Sequence, residues 1–133
     1  MNQNKIARLK LLIVDDDETS RILITEILID EPIDIVESRN GKEALYLYEK
    51  FSKELVLVFL DIKLPDCCGW ELINQLRSKN TLVPIIALSA TSPKELEDKT
   101  KSSGFTSYLS KPFDIDNLIQ IVNFYTSCKV ISV

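Results

Sequence analysis

The sequence predicts a doubly wound α/β domain, and three observations carry that prediction. Five short strand-like segments recur along the chain, each separated from the next by a segment with helical spacing. Leu11 to Val14, Leu55 to Leu60 and Pro84 to Leu88 are continuously apolar rather than alternating, which is how strands covered on both faces read. Several of them stop abruptly at a carboxylate, hydroxyl or lysine. Single helices between consecutive strands require right-handed crossovers and a parallel sheet with helices on both sides.

Leu11 to Val14 is the first strand, ending at Asp15, Asp16, Asp17 and Glu18. From Thr19, the residues Ile22, Leu23, Glu26, Ile27 and Leu28 recur with helical spacing until Pro32, and Asp17 or Thr19 is available as the cap. Ile33 to Glu37 is a short second strand. Asn40 and Gly41 mark a turn, after which Ala44, Leu45, Leu47 and Tyr48 predict a helix reaching about Phe51. Leu55 to Leu60 is wholly apolar and stops at Asp61, followed by the loop Lys63 to Gly69 with its Pro65. Trp70, Leu72, Ile73, Leu76 and Arg77 continue as a third helix. Pro84 to Leu88 is a fourth strand ending at Ser89. Pro93 opens a charged helix through Lys101, with Gly104 where a left-handed C-cap would stand. Phe105 to Leu109 is the fifth strand, ending at Lys111 and Pro112, and Leu118, Ile119, Val122 and Phe124 predict the buried side of a last helix.

The chain has 133 residues, enough for one domain with one core, spanning 1–133 with its packed part about 10–124 and a short tail 125–133. Sixteen Lys and Arg against twenty Asp and Glu leave a net charge of −4, which argues against direct binding of nucleic acid or anionic lipid. There is no histidine, so Ser-His-Asp and Cys-His catalysis, His-containing zinc sites and an internal phosphohistidine are excluded. Cys67, Cys68 and Cys128 form no paired framework and no Cys-x-x-Cys pattern. They read as free thiols in a reducing compartment, and the composition as that of a cytoplasmic protein. No apolar run has the length of a signal peptide core or a membrane span.

In doubly wound sheets ligands bind beyond the carboxyl ends of the strands, near the point where strand order reverses. The residues at those ends are Asp15 and Asp16, Asp61, Ser89 and Lys111. Two like charges about 4 Å apart repel by on the order of 4 kcal/mol at an effective dielectric of about 20, so three carboxylates on one rim call for a cation. A hard divalent ion with oxygen ligands suits them, and Mg2+ bound through one or two carboxylates is commonly completed by phosphoryl oxygens. An acidic rim with one lysine and one hydroxyl points to phosphoryl transfer onto a carboxylate.

This ordered set resembles the response-regulator receiver domains of two-component signalling. It comprises Asp15-Asp16, Asp61 with Pro65 and Gly69 after it, Ser89-Ala90, and Lys111-Pro112-Phe113. The resemblance covers about Lys10 to Phe124 and implies a flavodoxin-like (βα)5 fold with strand order 2-1-3-4-5. It implies that Asp61 is the phosphoacceptor, and that Asp16, Asp61 and the backbone carbonyl of Lys63 bind Mg2+, for which Mn2+ can stand in. Asp15 then acts through metal-bound water. Ser89 and Lys111 contact the phosphoryl group, Tyr108 is the aromatic switch that follows Ser89, and Lys63 and Thr91 tune phosphoryl lifetime. The bond before Pro112 is expected to be cis.

The same resemblance makes the chain a switch rather than an enzyme, promoting only its own phosphoryl transfer and dephosphorylation. Lacking histidine, it takes the phosphoryl group from a histidine kinase, a histidine phosphotransfer protein or a small phosphodonor. The donor docks on exposed parts of Arg21 to Ile29 and on Pro112. An unidentified downstream protein, or a second copy in a phosphorylation-dependent homodimer, meets the fourth helix, fifth strand and fifth helix around Lys94 to Lys101 and Tyr108. No output domain is expected after Phe124. Two alternatives stay open: a pseudo-receiver that binds without phosphorylation, and a haloacid-dehalogenase-like phosphohydrolase suggested by Asp15, Asp17 and Thr19. A redox role for Cys67 and Cys68 has no thiolate-stabilising cluster to support it.

Overall fold

The computed structural model describes residues 9–79, 82–90, 93–101 and 103–131. Five strands, β1 (Leu9–Val14), β2 (Ile33–Ser38), β3 (Leu55–Asp61), β4 (Ile85–Ser89) and β5 (Ser107–Ser110), alternate with five helices. The helices are α1 (Glu18–Ile27), α2 (Gly41–Lys50), α3 (Gly69–Lys79), α4 (Pro93–Lys101) and α5 (Ile115–Ile131). All neighbouring strands are parallel and the order is β2-β1-β3-β4-β5, as expected. The order reverses between β1 and β3, which puts the carboxyl ends of those two strands at the centre of one rim.

The continuous apolar runs are explained by burial on both faces. Successive residues of β1 point to opposite sides: Leu12 and Val14 join Ala44, Tyr48, Leu72, Ile73 and Leu76 of α2 and α3, whereas Leu11 and Ile13 join Ile24, Leu28, Leu118 and Val122 of α1 and α5. β3 is buried along its whole length. Fully burying such a side chain stabilises the fold by about 1.5–3 kcal/mol relative to leaving it exposed.

Local chemistry sets the helix starts. Asp17 caps α1 by accepting from the Thr19 N–H at 3.0 Å. Asn40, predicted as a turn residue, is the N-cap of α2 and accepts from the Glu43 N–H at 2.8 Å. Asp66, from the loop before α3, adds a second cap there by accepting from the N–H groups of Gly41 and Lys42. Cys67 and Cys68 are free and half-buried, with the Cys67 sulfur occupying the place a Cβ on Gly41 would need.

Several predictions at the helices are corrected. In α1 the inward residues are Ser20, Arg21 and Ile24, and Ile22 is half exposed. α5 runs on to Ile131, with Tyr125 and Thr126 packed inward, so residues 125–131 continue the helix. Leu118 and Val122 form its buried stripe as predicted, but Ile119 and Phe124 are exposed, because a four-residue step from Leu118 leaves both off that stripe. No left-handed cap forms at Gly104, whose φ is not positive. A glycine is needed there for closeness instead: a Cβ would fall 2.8 Å from Arg77 Cγ.

Candidate functional site: an acidic pocket at the strand ends

Asp15 follows the last residue of β1 and is fully buried. Its N–H donates to the Ser38 carbonyl at 3.0 Å, its Oδ1 accepts from the Asp17 N–H at 2.9 Å, and its Oδ2 lies 2.7 Å from Lys111 Nζ. Asp61, the last residue of β3, is 6% exposed. Lys111 Nζ donates to its Oδ2 at 2.8 Å and the Lys63 N–H to its Oδ1 at 2.9 Å. Asp16 is exposed on the same rim. Ligand atoms of Asp15, Asp16 and Asp61 all lie within 4.8 Å of one another.

A pocket of about 510 Å³ opens over this cluster, lined by Asp16, Asp61, Lys63, Leu64, Pro65, Ser89, Ala90 and Lys111. Ser89 ends β4 and is nearly buried, and its carbonyl accepts from the Lys111 N–H at 2.8 Å, which ties the serine and lysine strand ends together. Tyr108, within β5, is half-buried against the α2 and α3 side of the core. The Lys111–Pro112 bond is cis, as expected. The Lys63 side chain is exposed. Thr91 lies outside the described residues.

The electrostatics follow from one ammonium among three carboxylates, which leaves two excess negative charges. Burial, with Asp15 adding to it, pushes the Asp61 carboxyl up to about 6 against the hydrogen bonds from Lys111 and the Lys63 N–H. Burial also works to lower Lys111, but the Asp15 and Asp61 carboxylates outweigh it and hold the ammonium above the ordinary lysine range. The donor set is all hard oxygen and short of two positive charges, so the residues present fit a divalent cation such as Mg2+.

Most residues predicted for the site thus meet on one rim. Arg21 does not belong to an exposed docking face: it is 7% exposed, and its guanidinium donates to the Asp15 carbonyl at 2.7 Å and to Glu37 Oε1 at 3.0 Å. The exposed parts of α1 include Ile22, with Ile29 just beyond the helix. Nothing local to Arg21 signals these partners, since an arginine one turn into a helix ordinarily faces water. Among the described residues no helix is long and apolar enough to cross a membrane.

Comparison with known proteins agrees with this geometry. The family model for the response regulator receiver domain matches residues 11–123. The sporulation initiation phosphotransferase F of Bacillus subtilis is 32% identical over 120 residues, covering 90% of this chain and 95% of that protein. The transcriptional regulatory protein PdtaR of Mycobacterium tuberculosis is 33% identical over 119 residues, covering 89% of this chain, which spans only 57% of that longer protein. A co-crystal structure of the Saccharomyces cerevisiae histidine phosphotransfer signaling protein Ypd1 with the receiver domain of its downstream response regulator Ssk1 matches with a TM-score of 0.76, 25% identity and 91% coverage of each chain. With the family model reaching all five strands and every strand end that builds the pocket, the chain belongs to the response regulator receiver domains, the phosphorylation-based switches of two-component signalling.

Proposed function

We propose that Asp61 accepts a phosphoryl group from a phosphohistidine on a histidine kinase or histidine phosphotransfer protein, and that the new charge alters the α4-β5-α5 face to control a partner. One observation carries the choice of Asp61: of the two carboxylates bonded to Lys111, it alone lines the pocket, while Asp15 is sealed beneath. A carboxylate oxygen of Asp61 forms the bond to phosphorus as the donor's N–P bond breaks, and that bond's electron pair returns to the imidazole. Later attack by water on phosphorus restores the carboxylate and releases inorganic phosphate.

Asp16 and Asp61, with the Lys63 carbonyl and with Asp15 behind them, would hold Mg2+, which when bound supplies positive charge toward the phosphoryl oxygens. Lys111 neutralises one phosphoryl oxygen, and the Ser89 hydroxyl donates to another. Drawing Ser89 toward the phosphoryl group vacates space beside β5 into which half-buried Tyr108 turns. Lys63, which lines the pocket, and Thr91 tune access of water to phosphorus. The donor docks in an apolar groove of about 380 Å³ beside Lys111, formed by Leu23, Ala90, Pro112 and Phe113 with Thr19 and Ser20. Mn2+ can replace Mg2+, the domain spans about 10–124 with the rest of α5 continuing from it, and the setting is cytoplasmic. The output is a downstream protein or a second copy of the chain.

The phosphohydrolase alternative needs Asp15 as nucleophile and Asp17 as its acid, but Asp15 is inaccessible and Asp17 is engaged in capping α1. Intact-mass analysis after incubation with acetyl phosphate and Mg2+ tests the proposal. One phosphoryl increment is expected in the wild type and none with Asp61→Asn or without metal. No increment in folded, metal-binding protein would leave a phosphorylation-independent binding module. Steady phosphate release that survives Asp61→Asn would favour the hydrolase.

A further inference from the structure

We infer that Arg21 is a positioning residue of the cation site, setting the direction of Asp16 by holding the peptide between the two adjacent aspartates. This rests on reading Asp15, Asp16 and Asp61 as that site. The carbonyl of Asp15 belongs to the Asp15–Asp16 peptide, a planar unit, so fixing its oxygen fixes the plane from which the Asp16 backbone departs. Arg21 Nη1 donates to that oxygen at 2.7 Å in a buried setting.

The need for such a hold follows from the unequal support of the two aspartates. Asp15 is tied through its N–H to Ser38, through Oδ1 to the Asp17 N–H and through Oδ2 to Lys111. Asp16 is exposed, and among the described residues its carboxylate takes part in no hydrogen bond or ion pair. What aims it at Asp61 is therefore its backbone. The guanidinium that holds this backbone is itself anchored: Nε donates to Glu37 Oε1 at 3.0 Å, just before the end of β2. α1 thus carries a planar fork with one tine on β2 and the other on the peptide of the acidic pair. Burying a guanidinium to 7% exposure is costly without such partners. Lysine offers a single point donor and cannot span both.

A purely structural tie between α1 and β2 would use the Glu37 contact, and a positioning role uses the Asp15 carbonyl, so variants separate them. Mn2+ binding to the full chain, followed by electron paramagnetic resonance, is measured for the wild type, Arg21→Gln, Arg21→Lys, Glu37→Ala and Asp16→Asn. The amide resonance of Asp16 is recorded in metal-free wild type and Arg21→Lys. Arg21→Gln is expected to weaken Mn2+ binding by about tenfold or more, in the range found for residues that orient metal ligands. Arg21→Lys is expected to fall between it and the wild type, with a shifted Asp16 amide. Glu37→Ala should stay within about twofold of the wild type while melting earlier. Wild-type Mn2+ affinity in either Arg21 variant overturns the inference, as does an equal loss in Glu37→Ala. If Arg21→Gln fails to fold, an unmoved Asp16 amide with unchanged affinity in Arg21→Lys overturns it as well. Failure of the site itself looks different: wild type and Asp16→Asn would then bind Mn2+ alike, and the inference would fall with it.

Discussion

Lys111 holds two carboxylates with one charge, and the shortage shows at Asp61. Its carboxyl, lifted by burial from 3.8 to about 6, stays protonated to a higher pH in the folded chain than in the unfolded one. Below about pH 4 both states are protonated and the site is neutral for stability. As pH rises through the window to about 6 the unfolded state loses its proton first, so the metal-free fold is penalised, fully so above 6. A two-unit lift sets this penalty on the order of 1–3 kcal/mol. Urea midpoints in chelator should therefore fall between pH 5 and pH 7.5 for the wild type and change much less for Asp61→Asn, which should be the more stable protein at pH 7.5. An equal fall in both would refute the assignment. Lys111→Met removes the only ammonium touching Asp15 and Asp61 among the described residues and should cost about 3 kcal/mol or more at pH 7.5. The cost should shrink at pH 5, where Asp61 takes up a proton.

Among the elements, α3 does most to position the far side of the sheet. Arg77 Nε donates to the Gly104 carbonyl at 2.8 Å, Nη1 to the Val83 carbonyl at 2.7 Å and Nη2 to Thr106 Oγ1 at 3.2 Å, with the Tyr48 phenol beside it. This one side chain joins α3 to the entries of both β4 and β5. Arg77→Met leaves those carbonyls without a donor and should lower stability by about 2–3 kcal/mol, read from urea unfolding. Trp70, the sole tryptophan, stands edge-on to Phe105 at 5.3 Å with Lys99 of α4 5.4 Å above its ring. Its emission should change on phosphorylation if α4 or the start of β5 moves, and should stay constant in Asp61→Asn. At the other end of α3, a Cβ on Gly69 would come within 2.8 Å of Ile62 Cα and 2.9 Å of the Asp61 carbonyl. These are backbone atoms at and just after Asp61, the proposed acceptor, so Gly69→Ala should cost roughly 1–3 kcal/mol and slow acyl phosphate formation, measured by melting and by mass.

At the scale of the molecule, what could be read in the sequence was whatever depends on near neighbours. A strand buried on both faces announces itself as an unbroken apolar run, and its stopping residue is a strand end by definition. Asp15, Asp61 and Ser89 are legible in this way, whereas Lys111 follows the mixed segment Phe105 to Leu109 and is legible only through its company in the ordered set. Residues whose roles depend on distant partners are not. Arg77 near the end of a helix reads as a cation at the dipole's negative end, and nothing local tells that it reaches Gly104 or Thr106. Arg21 reads as helix surface because Glu37 lies on another strand. Gly104 invited a conformational explanation, but its constraint is the approach of α3, a fact of packing. Ile119 and Phe124 were misplaced because α5 is apolar around more of its circumference than the core requires.

The pocket's members are also far apart in time. Asp61 and Lys111 are separated by 50 residues, and Asp15 stands near the opposite end of the chain from the lysine that touches it. β1, an interior strand between β2 and β3, gains its second neighbour only once β3 has been made. A nascent chain that has emerged only through β4 carries all three carboxylates with the lysine that offsets them still unmade, so its acidic rim resists closing until β5 docks. The lysine-balanced carboxylate cluster is therefore complete only once β5 is in place beside β4.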